Sequence, residues 1–178
     1  MNVIYKIISN FINNKSLYIG ESVTMSEHMI QAAMLAEKAK ASDSLVCASL
    51  LHDYGHFLLE DPSELVEKKL DGKHEDIGYE YLKKFFKEDV VEPIKYHVIA
   101  KRYLVRKKKY FNQLSQASKI SLKLQGGVLN KKESEEFEKN KFFKDAINLR
   151  KFDEFAKKTN IKMKNINQYE DLLRSKLL

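Results

Sequence analysis

The sequence predicts an all-α, single-domain helical bundle. Apolar residues recur at helical spacing along the chain, and no stretch alternates as a half-buried strand does. Glycine (6) and proline (2) are scarce in 178 residues, so few positions break a helix. At 43% hydrophobic and 32% charged residues, the composition is that of a folded globular chain rather than a disordered one.

Residues 2–13 place Val3, Ile4, Ile7, Ile8, Phe11 and Ile12 on one face of an N-terminal helix. Residues 13–20 read as a loop that carries Tyr18 and ends in Gly20-Glu21. Thr24 followed by Glu27 is a capping box, opening a helix to about residue 40 with His28 in its first turn. Met25, Met29, Ala32, Ala33 and Ala36 turn inward. Ser42 or Asp43 caps the next helix, which runs through Cys47 to His52-Asp53 and stops at Gly55. Residues 58–73 are irregular, with Pro62, Gly72 and a short helix over 63–69.

His74 opens a helix through Tyr81 and Phe86. Pro93 starts another, with Ile94, His97, Val98 and Lys101 along one side. Ser115 caps a helix over 116–124, which Gly126-Gly127 ends. Residues 130–140 are charged and solvated. A helix over 142–157 sets Arg150 and Asp153 three residues apart on a common side. One domain thus spans 1–178, with its core at about 17–157, an N-terminal helix in 1–16 and a peripheral tail with one short helix in 160–178.

A single cysteine, Cys47, excludes an intrachain disulfide. No apolar run approaches the ~20 residues of a membrane span, and the N-terminus lacks a signal-peptide core, so the expected compartment is the cytoplasm. The net charge of +7 fits either a compositional bias toward lysine or an anionic partner. The Lys107-Lys108-Lys109 run reads as a solvated surface, without the interleaved aromatics of a single-strand nucleic-acid groove.

The stretch Leu51-His52-Asp53-Tyr54-Gly55-His56 closes an apolar run of helix formers. Two adjacent metal ligands at a buried helix end are costly to desolvate unless a cation compensates them. The five histidines are His28, His52, His56, His74 and His97, and four lie in or at the ends of separate predicted helices. A bundle can point such residues into one centre. Imidazole and carboxylate together suit iron, manganese or zinc. Asp53, with two oxygens, can bridge two ions.

These residues resemble a known family. His28, His52-Asp53, His74, His97 and Asp153 match the metal-ligand order of the HD-domain superfamily. The chain more closely resembles its mixed-valent di-iron oxygenase branch, and within that branch the members that cleave carbon–phosphorus bonds. Tyr18-Ile19-Gly20-Glu21 precedes His28 at that branch's spacing, and Gln31 also fits. So do His56 after the His-Asp pair, His74-Glu75, the block from His97 to Leu104, Leu114 to Ser118, Gln125-Gly126-Gly127, and Arg150 followed by Asp153.

The resemblance implies that His28, His52, Asp53 and Asp153 bind one iron, and that His74, His97 and the bridging Asp53 bind the other. It implies an Fe(II)/Fe(III) pair with O2 as co-substrate. The substrate is a 1-hydroxyphosphonate made by a separate phosphonate hydroxylase. Hydrogen removal and oxygenation at C1 release phosphate, and 2-amino-1-hydroxyethylphosphonate would give glycine. His56, Lys101, Ser118, Ser121 and Arg150 are expected to meet the phosphonate, whose charge suits an ammonium and a guanidinium. Tyr18, held by Glu21, is expected to cover the iron at rest. A monomer without nucleic-acid or membrane partners is expected. The alternative is an HD phosphohydrolase that uses the same ligands to activate water against a nucleotide or phosphate ester.

Overall fold

The computed structural model describes residues 2–18, 20–59 and 73–178. The short helix predicted over 63–69, together with Pro62, Gly72 and Ile19, lies outside them. The α-helices among the described residues are α1 (Val3–Asn13), α2 (Met25–Lys38), α3 (Asp43–Leu51), α4 (His74–Leu82), α5 (Glu88–Leu104), α6 (Lys108–Gln113), α7 (Gln116–Leu124), α8 (Lys131–Glu138), α9 (Phe143–Phe155) and α10 (Glu170–Ser175). Tyr54–Leu58 and Ile166–Tyr169 form 3-10 turns. The described residues contain no strand, only isolated bridges between Leu17 and Thr24 and between Phe86 and Leu177. The all-α expectation holds. No helix of the described residues is long and apolar enough to cross a membrane.

Local chemistry starts the helices where the sequence placed them. Thr24 and Glu27 form the reciprocal capping box of α2, and the hydroxyls of Ser42 and Ser115 accept from Leu45 and Ser118 at the starts of α3 and α7. From Ser44 to Leu51 every residue of α3 is buried. An all-round buried helix is a central one. It packs against α2, α5 and α9, and α9 also packs on both α2 and α5, while α4 leans on α5 and on the Tyr54–Leu58 turn. Five of these segments therefore converge on the C-terminal end of α3.

Several boundaries differ from the sequence reading. α5 begins at Glu88 rather than Pro93, which sits inside the helix. Proline there removes one backbone bond. Val90, Val91 and Ile94 are all buried on that helix, and their packing outweighs the loss. α4 ends at Leu82, and Phe86 instead pairs with Leu177. The 130–140 stretch is not merely solvated. Asn130 and Glu133 form a capping box for α8, and Phe137 is buried against Ala100, Leu129 and Ala146.

The tail is not peripheral. Ile166, Tyr169 and Leu173 belong to the same apolar cluster as Ile4, Leu50 and Leu149, and Leu178 donates its amide to the Phe85 carbonyl. The N-terminal helix joins it too, and Asn10 Nδ2 donates to the Tyr54 hydroxyl at 2.9 Å. Leu173→Ala removes a fully buried side chain and should cost roughly 2–5 kcal/mol. At about 2–4 °C per kcal/mol for a chain of this size, thermal unfolding will register it. A melting point that did not move would return the tail to the periphery.

Candidate metal centre

The helices α2, α3, α4, α5 and α9, or the residues that follow them, each deliver one or two polar side chains to a common point. His28 comes from the first turn of α2, and His52 and Asp53 follow α3. His74 is the first residue of α4, His97 lies on α5 and Asp153 on α9. All six are buried. His28 Nε2 and His52 Nε2 lie 3.1 Å apart, as do His74 Nε2 and His97 Nε2. Asp53 lies between the pairs. Its Oδ2 is 3.5 and 3.4 Å from the first pair, and its Oδ1 is 3.2 and 3.5 Å from the second. Asp153 Oδ1 approaches His28 Nε2 at 3.3 Å. Two donor groups result: His28, His52 and Asp153, and Asp53, His74 and His97.

Gly55 makes the second group reachable. A Cβ on it would lie 1.9 Å from the His74 carbonyl oxygen and 2.9 Å from the Gly78 amide. Backbone therefore rests directly on backbone where the turn after α3 meets the start of α4. The sequence reading used this glycine only as a helix stop.

The donor set fits bound cations. Backbone carbonyls only accept, so the ring nitrogens facing them carry hydrogen. His28 Nδ1 faces Ala156 O at 2.9 Å, His52 Nδ1 faces Ser49 O at 2.9 Å, and His97 Nδ1 faces Ile94 O at 2.6 Å. In their neutral forms each Nε2 then presents a lone pair inward. Two lone pairs 3.1 Å apart repel, and a cation between them removes the conflict. Asp153 Oδ1 is buried with no hydrogen-bond partner, a second position that asks for a cation. His74 Nδ1 faces Glu75 Oε2 at 3.5 Å, and that oxygen also lacks a hydrogen bond.

Without an ion, a proton on His28 relieves the same conflict. Burial pushes the Asp53 carboxyl up, but His52, His74 and His28 draw it well below the usual range. Asp153 is drawn down likewise against burial, foremost by Arg150. Burial lowers the His28 imidazole, yet Asp153 and Asp53 raise it from 6.5 to about 9. In the metal-free protein, the stability from protonated His28 is fully present below about pH 6.5 and is lost as pH rises through about 9. Metal ions need the neutral ring, so affinity should tighten across that window. Chelator competition at successive pH values will measure it, and a flat profile would contradict the competition.

The other site residues fall into two sets. Lys101 is buried, and its ammonium donates to Ser121 Oγ at 2.8 Å and Gln125 Oε1 at 2.5 Å. Burial, and then the Arg150 charge, lower it to about 7. His56 stacks on His74 with ring centroids 4.3 Å apart, and burial holds it at about 3. Tyr18 stacks on His28 at 4.0 Å.

Arg150 and Ser118 differ from expectation. The Arg150 guanidinium grips Asp153 Oδ2 and Glu154 Oε2, and its Nε donates to the Tyr110 hydroxyl at 3.1 Å. It orients a carboxylate of the first donor group. Ser118 Oγ donates to Glu154 Oε2 at 3.0 Å. Glu21 pairs with Lys157 at 3.3 Å, in place of the expected hold on Tyr18. Glu154 and Lys157 were missed. Their spacing from Arg150 was visible, but charges three and four apart on a helix usually mark a solvated face.

Residues 25–146 match the family model described as the HD domain. The chain belongs to the HD-domain family. Three relatives extend the likeness of this HD-domain chain. The 1-hydroxy-2-(trimethylamino)ethylphosphonate dioxygenase (glycine-betaine-forming) of Leisingera caerulea is 44% identical over 145 residues, covering 81% of this chain and 74% of the relative. The hydroxymethylphosphonate dioxygenase of Gimesia maris is 42% identical over 163 residues, covering 89% and 80%. Uncharacterized protein L432 of Acanthamoeba polyphaga mimivirus is 38% identical over 160 residues, covering 88% and 73%. The HD-domain match contains His28, His52, Asp53, His74 and His97, while Asp153 lies beyond it on α9.

Proposed function

We propose that this protein is an oxygenase that uses a dinuclear iron centre and O2 to cleave the carbon–phosphorus bond of a 1-hydroxyphosphonate, releasing phosphate. The reading is carried by one observation. A buried two-triad donor set occurs in a chain 44% and 42% identical to relatives named as dioxygenases of phosphonates. Both printed names contain a hydroxyl on the carbon next to phosphorus, which defines the substrate class. A preceding hydroxylation must install that hydroxyl, and the protein acts as a monomer on its product.

His28, His52 and Asp153 would hold one ion, His74 and His97 the other, with Asp53 between them. Bound iron would supply Lewis-acid binding of substrate oxygens and the electrons that activate O2. The chain supplies the rest. Arg150 fixes Asp153, and the carbonyls of Ala156, Ser49 and Ile94 fix three imidazole rings. Lys101, supported by Ser121 and Gln125, offers an ammonium to the phosphonate. An incoming dianion favours its charged form, which burial had weakened. Tyr18 shields the His28 side until substrate arrives.

Iron-loaded protein, incubated with 2-amino-1-hydroxyethylphosphonate and with hydroxymethylphosphonate in air and anaerobically, tests this. Phosphate released only in air is expected, with glycine from the amino substrate. Oxygen-independent phosphate release from nucleotides would replace this reading with the phosphohydrolase.

A further inference from the structure

Lys157 has no part in the ligand set, yet it joins three separate elements beside the centre. Its Nζ donates to Ser118 Oγ at 2.9 Å, Ser115 Oγ at 3.2 Å and Glu154 Oε1 at 3.4 Å. It lies 3.3 Å from Glu21 Oε1 and 5.8 Å from the centre of the Tyr18 ring. Its chain neighbours are anchored as well. The Ala156 carbonyl accepts from His28 Nδ1, and Lys158 exchanges two hydrogen bonds with Gln31.

We infer that Lys157 is a positioning residue that latches the Tyr18–Glu21 turn over the metal centre. The turn holds itself together through the Leu17–Thr24 bridge, the Tyr18 amide on Val23 O and the Glu21 amide on Tyr18 O. It meets the rest of the site at few points: the Tyr18 ring on His28, Gly20 against Ala117, and Glu21 against Lys157. Only the last is ionic among the described residues.

The two ends of that ion pair are unequal. An ammonium has three hydrogens, and all three of Lys157's have acceptors on α7 and α9. Glu21 Oε1 is buried and makes no hydrogen bond. Glu21 is thus held by charge alone, while Lys157 is held by charge and geometry. When the pair parts, the turn moves and Lys157 stays. Leaving Glu21 desolvated and half-satisfied keeps the latch weak enough to open. The same lysine orients Ser118 and Glu154, and Glu154 shares the Arg150 guanidinium with Asp153. The latch therefore ties the cover to the network that aims one metal ligand.

The consequence for turnover rests on the proposed oxygenase reading, but the latch can be tested without substrate. Full-length iron-loaded and metal-free protein carrying Lys157→Met, Lys157→Arg, Glu21→Gln, or Lys157→Met with Glu21→Gln serves. Two quantities are read: hydrogen exchange of the amides in 14–24, and the rate at which a chelator strips iron. Lys157→Met should raise both by about two- to tenfold, the scale of a partly buried ion pair. Glu21→Gln should match it, the double variant should add nothing further, and Lys157→Arg should restore both. Unchanged exchange in 14–24 for Lys157→Met would overturn the latch. So would a silent Glu21→Gln, or additive effects, because either would place the action of Lys157 in the Ser118–Glu154 network alone. No outcome depends on which reaction the centre performs.

Discussion

Asp53→Ala should leave the protein unable to hold either metal ion, whereas Asp153→Ala should lose one and retain the other. Among the described residues Asp53 is the one carboxylate whose two oxygens face different histidine pairs, at 3.4–3.5 Å on one side and 3.2–3.5 Å on the other. Without it, four lone-pair-bearing nitrogens and Asp153 remain, and two dications would face each other with no negative charge between them. Asp153 touches only the first pair, so its loss spares the His74 and His97 group. Elemental analysis should show about two ions per chain for the parent and close to none for Asp53→Ala. A metal present at about 1,000 times its Kd adds about 4 kcal/mol, which at 2–4 °C per kcal/mol is a rise of roughly 8–16 °C in Tm. The parent should show that rise on metal addition and Asp53→Ala should not. A variant that kept a full complement of iron would contradict the bridging position.

Gly55→Ala should be among the most damaging single-methyl additions in the chain. The new Cβ would sit 1.9 Å from a carbonyl oxygen of His74, and the obstructing atom is backbone, so no rotamer change relieves it. Either the Tyr54–Leu58 turn or the start of α4 must move. Overpacking of this kind costs typically 1–3 kcal/mol and occasionally more. About 3 kcal/mol here corresponds to a fall of roughly 6–12 °C in Tm. The effect on metal is selective. His74 is displaced from Asp53 while His28 and His52 are not, so occupancy should fall from about two ions to about one. Thermal unfolding in chelator and metal analysis after dialysis separate the two effects. Gly78→Ala is the milder control, since its Cβ would meet the Gly55 amide at 3.1 Å.

The His52-Asp53 pair was legible because its chemistry conflicts with its surroundings. His52 and Asp53 end an apolar run, and an apolar environment tolerates them only with compensation. The helix starts at Thr24, Ser42 and Ser115 were equally plain, since capping is a contact of three residues' reach. Other features were out of reach. Glu154 and Lys157 look like ordinary helix-surface charges until α7 and the Tyr18 turn close over them. The tail reads as peripheral because its apolar positions, Ile166, Tyr169 and Leu173 among them, are interspersed with polar residues over a short stretch. Their burial depends on α1 and on the Phe85–Phe86 segment being there to meet them.

By itself, then, the sequence determined the helical class and singled out the His52-Asp53 pair, while the full set of six candidate ligands came from the resemblance to the HD-domain superfamily. The helical class and that pair follow from local periodicity and from residue types that an apolar interior cannot hold unaided. Tertiary structure alone decided the pairing of His28 with His52 and of His74 with His97, and the placing of Asp53 between them. It also turned Arg150 and Ser118 away from the expected open anion site and onto Asp153 and Glu154. The physical reason is distance along the chain. Which lone pairs face each other at 3.1 Å depends on how five segments pack at one point, and no spacing within a single segment encodes that.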